Sequence, residues 1–314
     1  MNTLALRPHN IASNDTPLVF LHLPKTAGTT LWLILRRQYS PRAVLRVDHA
    51  VDLPAVEEEQ WSQSRVLLGH LAYGVHHFAR QPDYVTVLRE PLERTLSQYC
   101  HWARDKNCHW SRESDVHLSL GEYLAVEDPR TDNLQTRMLA GPEAEALPFG
   151  RCDRDVFEVA KRNLTENIAV VGVTERFDET LLLLQRRFGW GLPCYVSENV
   201  GTNRISRDDV PRDQLKQIWE MTRWDRELYA LANAKLDERI ALEGPDFADA
   251  LRRFRIANTL YRRMKIWVAG PLQALKSRLP LNGQMGLESA VRNILEVTHK
   301  HATPQSVGTN RRAV

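Results

Sequence analysis

The chain has 314 residues, 43% of them hydrophobic and 26% charged, which suits a globular protein with one large α/β domain and appendages or two modest domains. No apolar run reaches the length of a spanning helix, and residues 1–17 lack the basic start, apolar stretch and cleavage site of a secretory signal, so none is expected. Four cysteines are too few to staple a fold of this size, so a reducing cytoplasm is expected. The net charge of +3 conceals an asymmetry, because residues 251–314 hold twelve basic and two acidic side chains against 30 and 37 in residues 1–250.

Leu18-Val19-Phe20-Leu21-His22-Leu23 is an apolar run stopped by Pro24 and reads as a buried strand. A turn from Pro24 to Thr30 leads into helix-compatible residues Leu31 to Tyr39, which end before Pro41. Arg65 to Gly69 and Tyr84 to Arg89 are further strand candidates, and Pro91 opens a helix that Leu92 to Lys106 continues. Asn107 to Ser119 is polar and reads as a surface loop. Arg154 to Thr165 is helical in pattern, Ile168 to Val173 is a fourth strand, and Phe177 to Phe188 is a helix punctuated by Gly189, Gly191 and Pro193. One or two helices fill residues 211–240, and Gly244-Pro245-Asp246 is a turn that closes the core. Strands alternating with helices predict an α/β fold with a mostly parallel sheet flanked by helices. Residues 1–250 form its main domain and residues 251–314 a basic helical extension.

The chemistry concentrates in the first turn. Of eight lysines, Lys25 is the only one before Lys106, in a chain with 34 arginines. A strand entering a helix through Pro24-Lys25-Thr26-Ala27-Gly28-Thr29-Thr30 is suited to holding an anion. The helix start offers N–H groups and a partial positive charge, Gly28 permits close approach, Lys25 adds a full charge, and three threonines add hydroxyl donors. It is not a Walker A loop, whose lysine follows a second glycine, and no G-x-G-x-x-G occurs. The bland alternative is a strand–helix turn with an accidental lysine. Arg89 closes the third strand, and Ser97 follows eight residues later on a helix. Strand ends of a parallel sheet share one edge, so Arg89 faces the same crevice as Lys25 and suits a phosphate monoester, with Ser97 as a further donor. Its bland alternative is a surface arginine paired with Glu90 or Glu93.

These residues resemble a known family. His22-Leu23-Pro24-Lys25-Thr26-Ala27-Gly28-Thr29-Thr30 resembles the 5′-phosphosulfate loop of sulfotransferases related to heparan sulfate 2-O- and 6-O-sulfotransferases. Arg89-Glu90-Pro91-Leu92-Glu93-Arg94-Thr95-Leu96-Ser97 resembles their 3′-phosphate element, with Glu90 where the family has Asp. Gly69-His70 resembles the Gly-His of the 2-O branch. Asp132 to Leu139 and Val171 to Asp178 resemble stretches of bacterial members, so the likeness covers about residues 18–235. It implies a P-loop-like three-layer fold and the donor 3′-phosphoadenosine 5′-phosphosulfate (PAPS), without a metal. Lys25, Thr26, Ala27, Gly28, Thr29 and Thr30 would hold the phosphosulfate, and Arg89 and Ser97 the 3′-phosphate. Around Asn199-Val200, where the adenine side should close, the match is loose.

The acceptor is then a hydroxyl, expected on a carbohydrate or glycolipid. Lys25 stands where negative charge builds on the leaving group, and a histidine suits the acceptor's proton. His70, between the two donor elements, is the expected base. His22, inside a strand, reads as a hydrogen-bonded core histidine and is next in line, while His76 and His77 read as exposed loop residues. Cys100-His101 and Cys108-His109 have no standard zinc spacing and read as buried thiols and aromatic packing. The stretch Leu251 to Leu279 mixes arginines with Leu260, Ile266, Trp267 and Val268. It reads either as a helix packed on the acidic body or as a peripheral contact with the inner face of a membrane. Nucleic acid binding is not expected from an acidic body. Two rivals remain open: a nucleotide-dependent kinase, which needs Mg²⁺ ligands, and a non-catalytic scaffold retaining the fold.

Overall fold

The four expected strands lie in one sheet, three of them at its centre and the fourth, Ile168 to Val173, at an edge. The computed structural model of the chain describes residues 16–102, 118–197 and 205–276, with side chains as far as residue 265. Residues 107–117 with the Cys108-His109 pair, Asn199-Val200, the side chains of Ile266, Trp267 and Val268, and the tail beyond Lys276 lie outside the described residues.

In chain order the elements are β1 (Leu18–Leu21), α1 (Gly28–Gln38), β2 (Val44–His49), α2 (Glu58–Gln63), β3 (Val66–His70), β4 (Asp83–Leu88) and α3 (Pro91–Trp102). There follow α4 (Leu120–Ala125), α5 (Leu134–Ala140), α6 (Pro142–Glu145), α7 (Arg154–Arg162) and β5 (Ile168–Val173). The last four are α8 (Phe177–Phe188), α9 (Arg212–Met221), α10 (Arg223–Leu242) and α11 (Asp246–Lys276). The five strands run in the order β2-β3-β1-β4-β5, and every pairing is parallel. Helices cover the sheet in a three-layer, P-loop-like α/β arrangement, with α8 and α10 packed on β5 and α11 on α8.

Central parallel strands are covered on both faces, so they read as unbroken apolar runs. All four residues of β1 are buried, and so are all but the last residue of β3. Burying each such side chain contributes about 1.5–3 kcal/mol. The first strand is shorter than its apolar run, because the chain turns after Leu21 and His22 and Leu23 enter the loop. The α1 helix buries Leu31, Ile34 and Leu35 on one face, and Arg36 and Arg37 in its last turn complement its dipole.

The sequence reading missed β2 and the helices α2, α4, α5 and α6. It also closed the core too early. Helix α11 begins at Asp246, and its Phe247, Leu251 and Phe254 are buried in the main core. Ion pairs Arg186–Asp246 (2.9 Å) and Arg255–Asp178 (3.3 Å) pin the same face to α8. The division at residue 250 therefore falls inside a helix that is part of the body.

Candidate functional site

The chain leaves β1 and β4 towards opposite sides of the sheet: β1 leads to β2 at one edge, β4 to β5 at the other. Such a reversal opens a crevice between the two strands at their C-terminal ends. The loop after β1 and Arg89 after β4 face each other across it. Arg89 Nη1 donates to the Lys25 carbonyl at 3.1 Å, which ties the two elements together.

The loop has an unusual backbone. Lys25 (φ 69°) and Ala27 (φ 66°) are both left-handed, at a cost of about 1–2 kcal/mol each for residues with a Cβ. Left-handed turns of this kind aim successive N–H groups into a concavity. The α1 helix then starts with no side-chain cap and no acid in its first turn, so its positive end points into the loop. Thr26 is fully buried and its hydroxyl donates to the Leu23 carbonyl at 2.8 Å. That hydroxyl shapes the loop, and the residue can offer an anion only its backbone N–H. At Gly28 a Cβ would lie 1.7 Å from His22 Nε2, so a larger residue fits there only if the His22 ring moves.

His22 is therefore a wedge beneath the helix start. Its ring stacks on Phe20 at 5.6 Å and touches His70 at 4.4 Å between centroids. Burial pushes its pKa down to about 3, with His70, Arg46 and Lys25 adding to the effect and Asp48 opposing it. It stays neutral and structural at neutral pH. His70 ends β3, half-buried beside it. Burial lowers its pKa from 6.5, helped by His49, Arg46 and Lys25 and opposed by Asp48. At neutral pH it is an unprotonated imidazole able to accept a proton.

His49, which the sequence reading missed, is the register partner of His70 across β2 and β3, with ring centroids 6.1 Å apart. It is exposed at the sheet edge. Burial raises the carboxyl pKa of Glu145 on α6, and nearby His49 partly offsets this. On β2, Arg46 sits over the Trp32 ring at 5.5 Å, and Arg36 lies over the same ring at 5.4 Å.

Arg89 is not a surface residue: only 8% of it is exposed. Its Nη2 reaches Glu93 Oε2 at a long 3.5 Å. The Glu90 carboxylate accepts from the Glu93 N–H at 2.8 Å and so caps α3, a task that either acid can perform. Ser97 is half-buried on α3, six residues past its start, about 9 Å along a helix that begins at this edge.

The support for Arg89 was legible only as an unexplained motif. The buried Gln135 clamps the Arg89 backbone, accepting from its N–H and donating to its carbonyl, both at 2.9 Å. Gln135 lies in the first turn of α5, whose start is capped by Asp225, which accepts from the Thr136 N–H (2.7 Å) and hydroxyl (2.8 Å). Asn133 returns the cap to α10, accepting from the N–H groups of Trp224 (2.7 Å) and Asp225 (3.1 Å). Asp132 and Arg137 form a buried ion pair behind them. The other unexplained motif braces the neighbouring strands. Thr174 donates to the Leu88 carbonyl at 3.1 Å, and Glu175 accepts from the Glu90 N–H at 3.1 Å.

The structure thus gathers Lys25, the start of α1, Arg89 and His70 at one edge, with Ser97 on the adjoining helix. The donor set is two cationic centres, one loop of converging N–H groups and one neutral imidazole. It fits a ligand with two separate anionic groups. Among the described residues no group of three or more His, Cys, Asp or Glu is arranged to hold a metal, and Cys100 is buried.

No family model matches the chain. It is 26% identical to heparan-sulfate 6-O-sulfotransferase 2 of Danio rerio, over 80% of this chain and 64% of that protein, and so spans less than two thirds of that relative's length. It is 25% identical to heparin sulfate O-sulfotransferase of Drosophila melanogaster, over 74% of this chain and 78% of that protein. The likeness first carried by the Lys25 loop and the Arg89 element therefore extends over most of the chain, which resembles the O-sulfotransferases of heparan and heparin sulfate.

Proposed function

We propose that this chain is a sulfotransferase that uses PAPS and moves its sulfuryl group to a carbohydrate hydroxyl. The observation that carries this reading is the Arg89–Lys25 bridge across the β1/β4 crevice, at the uncapped start of α1. It sets two anion-holding centres side by side, as a nucleotide with separate phosphosulfate and 3′-phosphate groups requires. Both relatives are named for acting on a sulfated polysaccharide, which favours a carbohydrate acceptor.

When bound, the donor supplies the sulfuryl group and a bisphosphate leaving group. The residues supply the rest. Lys25 and the N–H groups from Lys25 to Thr30 hold the phosphosulfate end and lie where leaving-group charge grows, which lowers the barrier rather than only tightening binding. Arg89 and Ser97 hold the 3′-phosphate. His70 takes the proton from the acceptor hydroxyl, and its lowered pKa keeps it ready to do so at neutral pH. Arg46, His49 and Trp32, exposed or half-exposed at the β2 side of His70, form the acceptor side.

Calorimetry with adenosine 3′,5′-bisphosphate, compared with ATP plus Mg²⁺, tests the donor assignment. The bisphosphate is expected to bind without metal, and Arg89→Ala to weaken it by about tenfold or more, as for loss of a charged hydrogen bond. Gln135→Ala should reproduce part of that loss through its grip on the Arg89 backbone. A preference for ATP with Mg²⁺, or equal binding of adenosine 5′-monophosphate and the bisphosphate by wild type, would overturn the assignment in favour of a kinase or another nucleotide site.

A further inference from the structure

Helix α11 has two faces with different fates. Phe247, Leu251, Phe254 and Asn258 are buried against the body. On the opposite side Ile256, Leu260 and Met264 recur every four residues and are 58%, 59% and 40% exposed. Four-residue spacing puts them in one stripe along the helix. Arg252, Arg253 and Arg263 border that stripe and are exposed. Asp249 pairs with Arg252, and no acid lies between residues 250 and 287.

What covers such a face is decided by charge. A second copy would set arginine against arginine in a two-fold contact. The chain beyond Lys276 has five basic and two acidic residues and so brings no surplus of negative charge to match the arginines. A nucleic acid or an anionic polysaccharide would satisfy the arginines and leave the apolar stripe in water. A surface that is anionic outside and apolar just beneath serves both. We propose that the outer face of α11 lies on an anionic phospholipid bilayer, the stripe entering the headgroup boundary and the arginines meeting lipid phosphates. Among the described residues no helix is long and apolar enough to cross a membrane, so the contact is peripheral. It does not depend on the transferase reading, since the face shares no residue with the crevice.

Sedimentation with vesicles tests it, using phosphatidylcholine alone and with about a third phosphatidylglycerol, a surface on which each arginine is worth about fivefold in binding. The full chain is expected to pellet only with the anionic vesicles, and less as salt rises. Ile256→Ser with Leu260→Ser should lower the partition constant by about tenfold. Arg252→Gln with Arg253→Gln and Arg263→Gln should lower it at least as much. Binding of adenosine 3′,5′-bisphosphate, or failing that the melting temperature, should stay unchanged in both variants, which keeps the fold controlled. No partition onto anionic vesicles overturns the proposal. So does partition that the serine pair leaves unaltered, which would mark a polyanion site, or a dimer in sedimentation velocity that the serine pair dissolves.

Discussion

Lys25→Ala is expected to slow transfer by at least about a hundredfold, the usual cost of removing one donor aimed at developing charge. The residue lies half-buried on a loop, and alanine keeps the Cβ that its left-handed backbone already tolerates, so the fold should survive. The informative comparison is rate against affinity. In the proposed reaction Lys25 lies where charge appears, so kcat should fall further than bisphosphate binding does. Both relatives are named for heparan or heparin sulfate, so de-sulfated heparan sulfate is the acceptor to try first under the proposed function. If kcat stays within about threefold of wild type, the lysine has no part in the chemistry and the loop only binds.

The second large effect belongs to His70. His70→Ala should cost about 10²–10⁴ in rate and leave bisphosphate binding near wild type. The pH profile separates a base from a packing residue. Because burial and nearby positive charge lower the His70 pKa below 6.5, wild-type activity should fall only at pH values under 6.5. Protonation removes the acceptor of the hydroxyl proton, so the limb rises with pH. His49→Ala removes one of the charges that lower that pKa, and should move the limb upward with a smaller loss of rate. A wild-type limb that persists in His70→Ala would assign the titration to another group.

Much of this fold was legible because buried strands advertise themselves. β1, β3, β4 and β5 are almost wholly buried, and apart from Asp83, Thr86 and His70 their sequences are apolar. β2 was missed for the converse reason. As an edge strand it alternates, with Arg46 and Asp48 turned outward, and six residues of that pattern resemble a loop. His49 was lost with it. Helix α5 hid differently: Gln135, Thr136 and Arg137 are all fully buried, so it lacks the polar face by which a helix is recognised. Its polar side chains are matched inside the protein, and only tertiary structure reveals that Gln135 grips Arg89. The loop could be read from Lys25, Gly28 and their place after a strand. That the Thr26 hydroxyl faces inward and His22 fills the space beside Gly28 could not, because both depend on packing across strands. In α11 the many arginines drew attention from Phe247, Leu251 and Phe254, whose spacing marks a buried face.

The sheet order has a consequence for the birth of the protein. β1 lies at the middle of the sheet, paired with β3 on one side and β4 on the other. The ribosome releases it before either neighbour. Its four residues, Leu18-Val19-Phe20-Leu21, must wait until residues 66–69 and 83–86 emerge before the strand has a partner on each edge. Sequence-distant parallel pairing of this kind is slow, and an unpartnered apolar strand attracts other chains in the meantime. The nascent chain therefore presents a sticky segment early and hides it late, so its yield in cells should respond strongly to chaperone supply and to the pace of translation.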